Sequence, residues 1–181
     1  MTSTLITLGI VLRAAPHRES DVRLQILTAE GIVTATAIGA QKPTAKLKAA
    51  AQPFTIAEFE ITAARLTGAR VLTSPMPLTR EINRYYLACS IAKVLLHIKH
   101  TDAEIFVLTA RTFAELIQTT TSAYKIFIDF FGKLLAVLGF DLQLTVPENL
   151  GLSAAKKLVL QINAAFCEHL DISIACAERF V

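Results

Sequence analysis

The chain has 181 residues, 53% of them hydrophobic and only 18% charged, with a formal net charge of +3 and a mean hydropathy of +0.50. So apolar a composition excludes disorder, which needs low hydrophobicity and high net charge, and the length allows a core burying roughly 70% of the unfolded surface. No membrane span is predicted: a spanning helix needs about 20 predominantly apolar residues, whereas the longest apolar stretch, residues 126–140, has 15 and is interrupted by Asp129 and Lys133.

The first 75 residues read as β. Residues 1–11 carry no positive n-region and no small-residue cleavage pattern, so no signal peptide is predicted. Residues 5–12 are rich in Leu, Ile, Val and Thr, and residues 22–28 alternate apolar and polar, the period of a half-buried strand. Ala29, Glu30 and Gly31 supply a turn, with glycine free to take positive φ, and residues 32–38 return as the second arm of a hairpin. Residues 39–51 form a basic, alanine-rich connection carrying Lys42, Lys46 and Lys48. Residues 54–61 alternate again, with Glu58 and Glu60 on one face and Phe59 and Ile61 on the other. A short fifth strand, residues 70–73, ends before Ser74, Pro75, Met76 and Pro77. Five short strands in this length fit a small closed barrel of the OB type, in which closure removes exposed sheet edges.

From residue 78 the period becomes helical. Ile82, Tyr85, Tyr86, Cys89, Ala92 and Leu96 recur at helical spacing and are expected to face the core. Thr101 and Glu104 make a capping-box pattern, opening a helix to about Gln118. Residues 119–122 are a break. Residues 123–138 form the most apolar helix, with Gly139 as its stop and Asp129 and Lys133 positioned to pair at i,i+4. Residues 147–151 are a loop, and residues 153–169 a further helix. The predicted class is therefore α+β: a five-stranded barrel domain at 1–78 and an all-helical domain at 79–181. The hydrophobic surplus concentrates in the helical part, where some of it should reach the surface and mark a partner site.

Little in the chain points to catalysis. Cys89, Cys167 and Cys176 form no Cys-x-x-Cys pair, so a disulfide framework or zinc site is not expected, and reduced buried thiols of a cytosolic protein are. His97 and His100 have a spacing that a metal can use, but they flank Lys99 at a helix end, where cations complement the dipole. Glu58 and Glu60 are either an acid/base pair or a solvated strand face. No nucleophile elbow and no phosphate-binding glycine loop occurs, and no enzyme is expected. The charge is uneven: residues 1–80 hold nine Lys/Arg against five Asp/Glu, a balance of +4, and the remainder is −1. Arg13, Arg18, Arg23, Lys42, Lys46 and Lys48 either meet a polyanion backbone or make an ordinary solvated face. Phe54 and Phe59, the aromatics of this half, look like core positions rather than stacking platforms.

Gly9 to Arg13, then Glu19-Ser20-Asp21, then Leu27 to Gly31, resembles the opening of the RecO family of recombination mediators. Gly39-Ala40-Gln41-Lys42-Pro43 with Lys46-Leu47 is similar to that family's basic loop, Gln52-Pro53-Phe54 to its next strand entry, and Phe131 to Leu135 followed by Leu138-Gly139-Phe140 to its Leu-Gly-aromatic helix end. The resemblance implies an N-terminal OB fold and a helical C-terminal domain. It implies binding of single- and double-stranded DNA, strand annealing, and partnership with RecR, the C-terminal tail of the single-strand-binding protein SSB and, indirectly, RecA. It further implies a cytoplasmic, nucleoid-associated location and no nucleotide hydrolysis.

Departures from the pattern modify these expectations. Ile38 and Gln41 stand where the family often has cations, and Thr44 and Ala45 replace a frequent Lys-Ser. Each lost phosphate contact flattens the salt dependence by roughly one unit of slope, so weaker DNA binding is expected. Asp141, Leu142, Gln143 and Leu144 run on where many members carry a four-cysteine zinc module, and the chain is shorter in its helical part. Neither zinc nor another cofactor is therefore expected. The DNA contacts are assigned to Arg13, Arg18, Arg23, Lys42, Lys46 and Lys48. Lys125, Lys133, Lys156 and Lys157 are assigned to the basic rim of a helical groove for an acidic-aromatic tail. The rival readings are a protein-only adaptor of the same architecture and an unrelated OB-fold protein that binds RNA.

Overall fold

A computed structural model of the chain describes residues 3–118, 121–140, 142, 151–174 and 177. Five strands come first: β1 (Thr4–His17), β2 (Asp21–Thr28), β3 (Gly31–Ala37), β4 (Ile56–Thr62) and β5 (Arg65–Thr73). They close into a barrel in the order β1-β2-β3-β5-β4. All neighbours are antiparallel except β3 and β5, which meet in parallel where Thr36 lies beside Arg65. The fold class is thus the predicted one, α+β with an OB-type barrel.

Two strands are longer than the alternation indicated. β1 runs on to His17 because its two halves have different partners. Thr4 to Ile10 pairs with β4 and Ile10 to His17 with β2, and an irregularity between Val11 and Arg13 redirects the strand. β5 starts at Arg65 because Ala63 and Ala64, both at positive φ (50° and 59°), make a two-residue turn from Thr62. Such a turn ordinarily uses Asn or Gly, so two alanines conceal it. The β2–β3 hairpin forms as expected, with Thr28 opposite Gly31.

The barrel interior is filled by small side chains. Ala35, Ala37, Ala40, Ala50, Ala51 and Ala57 pack around Val11, Leu24, Ile26 and Phe59. Strands approach closely at Gly9, where a Cβ would stand 2.5 Å from Ile26 Cγ2. Ile10, Leu12, Leu27, Phe54 and Ile56 belong instead to a second cluster, continuous with the helical core. One outer side of the barrel is therefore apolar because helices cover it.

A 3-10 turn (Met76–Arg80) leads into α1 (Ile82–His97), α2 (Ala103–Gln118), α3 (Ala123–Val137) and α4 (Leu152–Leu170). Phe131 is fully buried at their centre, with ring centroids 4.7, 5.0 and 5.4 Å from those of Phe127, Phe130 and Phe166. Gly139 ends α3 as expected. It takes φ +88°, its N–H donates to Ala136 O, and the Phe140 N–H donates to Leu135 O, the paired bonds of a Schellman stop. No helix among the described residues is long and apolar enough to cross a membrane.

Several expectations are corrected. α1 does not bury the Ile82–Tyr85–Cys89 stripe: Ile82 is 63% exposed and Tyr85 38%, while Leu87, Ala88, Ile91, Val94 and Leu95 fill the core. The start of α2 is capped by Asp102, whose Oδ1 accepts from the Ile105 N–H at 3.0 Å, rather than by a box from Thr101. Asp129 and Lys133 form no ion pair with each other among the described residues. Cys89 is half-buried and Cys167 exposed, so neither is the fully buried thiol expected. Cys176, Thr119 and Thr120, and the predicted loop at 147–150 lie outside the described residues, as do Asp141, Gln143 and Leu144.

The exposed apolar surplus is also placed differently. Leu5, Ile6, Leu8, Ile38, Val71 and Leu72 are exposed on the barrel, against Ile82, Tyr85, Val107, Leu152 and Leu160 on the helices. The helices hide their side chains by packing them on one another and on the barrel. On the barrel the exposed pairs Leu5–Ile6 and Val71–Leu72 are consecutive, so both faces of β1's start and β5's end reach solvent.

Buried Arg84 fixes α1 to α2. It pairs with Glu81 at 2.8 Å and donates to Leu116 O at 2.9 Å and Thr121 O at 2.8 Å. These carbonyls lie at and beyond the end of α2, where four acceptors have no partner within the helix. The guanidinium fork suits that position because it offers five donors in one plane.

Candidate nucleic-acid interface

The covered side of the barrel ends at a seam with α1, and four adjoining clefts follow it. The first, about 510 Å³, is lined by Gly39, Lys42, Thr44, Lys46 and Thr67. It shares Ala45 and Lys46 with a second cavity, also about 510 Å³, that lies between the Lys46–Lys48 turn, Phe54, Val71, Met76 and Tyr85. Pro53, Phe54 and Tyr85 are common to this cavity and a third of about 550 Å³, lined also by Arg13, Gln25, Cys89, Lys93 and His97. Gln25 and Leu96 lead to the fourth, about 460 Å³, with Glu30, Thr34, Lys99 and His100. Each cleft shares lining residues with the next, so the four adjoin one another as a stepped groove.

Its charge is one-sided. Arg13, Lys42, Lys46, Lys48, Lys93 and Lys99 line it and are all exposed. Glu30 is the single carboxylate among the lining residues. None of the six cations is ion-paired to a described carboxylate, so their charge is directed to solvent and to whatever occupies the groove. Concave surfaces lined by one sign of charge focus the field and attract counter-ions.

Local structure explains how the cations are held. Residues 39–51 coil through successive i→i+3 bonds, Lys42 N to Gly39 O, Ala45 N to Lys42 O and Lys48 N to Ala45 O, all 3.1 Å. Ala40, Ala50 and Ala51 anchor this coil in the barrel core, so the lysines between them face outward. Gln41, where the family resemblance suggested a cation, acts as a clip. Its Nε2 donates to Asp21 O at 2.7 Å and its N–H to Ser20 O at 2.9 Å, and Asp21 Oδ1 accepts from the Gly39 N–H at 2.8 Å. The connection is tied to the β1–β2 turn at the expense of one charge.

The sequence-assigned cations divide. Arg13, Lys42, Lys46 and Lys48 meet in the groove. Arg18 sits at the β1–β2 turn with φ 55°, and Arg23 points outward from β2 opposite Thr36; both are exposed but line none of these clefts. Of the four lysines assigned to a partner rim, Lys133 lines a separate cleft between α2 and α3 with Val107, Leu108 and Arg111. Lys125 and Lys157 are exposed and Lys156 half-buried, outside these clefts.

Sequence reading missed Tyr85, Lys93, Lys99 and the groove-facing histidines. The signal was present in the run His97-Ile98-Lys99-His100, which reads as dipole compensation until the barrel is placed beside it. His97 Nδ1 lies 2.7 Å from Lys93 O. No cluster of metal-ligating side chains occurs among the described residues.

Tyr85 stands where the second and third clefts meet. Phe54, itself buried and held at φ 69°, packs its ring edge-to-face on Tyr85 at 5.8 Å and tilted on Phe113 at 5.5 Å. The nearby Cys89 sulfur, then burial, then the hydrogen bond to that sulfur hold the Tyr85 hydroxyl above its usual pKa. Burial likewise raises the Cys89 thiol, and the Tyr85 hydrogen bond partly offsets this. Both groups remain neutral at physiological pH, so Lys and Arg set the sign of the groove. Glu58 accepts from Arg70 at 2.8 Å and the Glu60 carboxylate lies over Gly68 at the edge of the first cleft, but neither carboxylate lines the four clefts.

Barrel order, strand register and helical body together define an OB-type barrel joined to a helical bundle. Residues 1–74 match the family model described as recombination protein O N terminal. Over 124 residues the chain is 30% identical to the DNA repair protein RecO of Synechococcus elongatus, and equally to that of Synechococcus sp.; each alignment covers 64% of this chain and 47% of the relative. By these matches the chain is similar to RecO proteins, most clearly in its N-terminal barrel, and it spans about half the length of the curated relatives it matches.

Proposed function

We propose that this chain serves DNA repair and homologous recombination as a mediator that binds the DNA backbone along the barrel–helix groove. The observation that carries the reading is the set of cations that line these adjoining clefts without an ion-pair partner among the described residues, Lys42, Lys46, Lys48, Arg13, Lys93 and Lys99. Arg18 and Arg23 lie to one side and serve duplex or approaching DNA by long-range attraction. No catalytic step is involved: binding aligns strands, promotes their annealing and assists loading of the recombinase RecA onto SSB-coated strands. RecR and the SSB tail are the protein partners of this reading, with Lys133 and Arg111 beside the α2–α3 cleft for the acidic tail. Its site of action is the cytoplasm, at the nucleoid.

The test is binding of a labelled DNA single strand over a salt series. Six backbone contacts predict a log–log salt slope of about −4 on single strands, and Lys42→Glu with Lys46→Glu should weaken binding for all sequences alike. Absence of binding at ~50 mM salt, where screening is small, would reduce the protein to an adaptor. Tighter binding of an RNA strand than of the matching DNA would make it an RNA-binding barrel. Annealing of SSB-coated complementary strands tests the mediator role directly.

A further inference from the structure

We infer that the cavity beside Tyr85 holds one unpaired base of a DNA strand, with Tyr85 as the stacking residue, so that the groove selects single strands over duplex. The inference rests on the groove being a nucleic-acid site, as proposed above, and adds what that site recognises. The cavity has about 510 Å³ and walls formed mainly by Ala45, Ala49, Pro53, Phe54, Val71 and Met76, whereas Lys46 and Lys48 also line it and are exposed. Charge beside an apolar recess matches a nucleotide, whose phosphate is anionic and whose base has a wide apolar face. In duplex DNA the bases are stacked inside the helix, so only an unpaired base can enter the recess while its phosphate stays on the lysines.

Tyr85 is built for this position. It is 38% exposed although it lies on a helix that buries most of its circumference. Its hydroxyl is tied to Cys89 and its ring makes T-shaped contacts with those of Phe54 and Tyr86, centroids 5.8 and 6.4 Å away. Phe54 keeps a left-handed backbone to support it, a conformation that costs free energy and concentrates at functional sites. The ring is therefore fixed before a base arrives. The neutral polar side chains of the pocket are mostly engaged with backbone: Thr79 Oγ1 donates to Met76 O at 2.8 Å, Gln52 Nε2 donates to Lys48 O at 3.2 Å, and Ser74 Oγ accepts from the Met76 N–H at 3.4 Å. Stacking without hydrogen-bond readout tolerates any base.

The experiment compares a labelled homopolymeric DNA single strand with a blunt-ended duplex of equal total charge, using the full chain. Tyr85→Leu, which keeps an apolar side chain but removes the π-face, should weaken single-strand binding about tenfold and leave duplex binding unchanged. Tyr85→Phe should keep near-normal single-strand affinity. A strand of abasic sites should bind the unaltered protein about as weakly as the normal strand binds Tyr85→Leu. Equal losses on single strand and duplex, or no loss on either, overturn the inference. Should the unaltered protein bind neither DNA at ~50 mM salt, the nucleic-acid reading itself fails. Melting curves confirm that each variant is folded, and if Tyr85→Leu is not, Ala49→Trp, which fills the recess from its exposed wall, carries the same expectations.

Discussion

The barrel and the helical body solve the same packing problem with opposite materials. Six alanines and one phenylalanine help fill the barrel, so its strands lie close and leave no room at Gly9. The helices are filled by phenylalanines, with Phe131 touching three other rings. The contrast teaches that hydrophobic fraction does not measure core type: the barrel is harmed by adding atoms and the bundle by removing them.

The largest expected effect is therefore in the bundle. Phe131→Ala leaves a ring-sized void and should lower stability by about 3–5 kcal/mol, measured by denaturant unfolding. Arg84→Met keeps the packing volume but leaves the Leu116 and Thr121 carbonyls without their donor. A loss of about 3 kcal/mol is expected from charged hydrogen bonds removed at a buried site. In the barrel the sensitive change is an addition. Gly9→Ala drives a methyl against Ile26 Cγ2, Leu27 O and Phe59 Cδ2 and should cost about 1–3 kcal/mol by overpacking. A smaller loss, about 1 kcal/mol, is expected for Gly139→Ala, where space is open but φ is +88° and only the left-handed strain counts. Ile6→Ser, at a side chain 61% exposed, should change stability by less than about 0.5 kcal/mol. If Gly9→Ala were as harmless as Ile6→Ser, the contrast between the two cores would collapse.

The same contrast explains what the sequence disclosed. Period-2 alternation located β2, β3 and β4 because each has one face in the barrel core. It lost the start of β5 because Ala63 and Ala64 make a turn in a conformation that alanine seldom adopts. Helical boundaries at Gln118 and Gly139 were legible from composition and glycine. The buried face of α1 was not, since this helix packs on the barrel and on two other helices and has no single apolar stripe. That ambiguity also hid the site. Tyr85 fell on the helical stripe yet is 38% exposed, while its neighbour Arg84 is buried. Half of the groove was visible as basic residues near strands. The remainder, Lys93, Lys99 and the histidines, becomes a site only when α1 is laid along the barrel, a tertiary fact with no local signature.

The long β1 strand has a consequence for the order of assembly. Its first half is paired with β4, so Thr4 meets Thr62 across 58 positions of chain, while its second half meets its neighbour β2 after a short turn. Contacts so distant in sequence form late, because the loop must close before they repay its entropy. The β1–β2–β3 meander is thus the early piece. Closure waits until β5 is complete at Thr73, and until the helices arrive Leu12 and Leu27 remain uncovered. On a ribosome this makes the nascent barrel dependent on helix sequence still to be translated. The interval between those two events is when the chain is most prone to self-association.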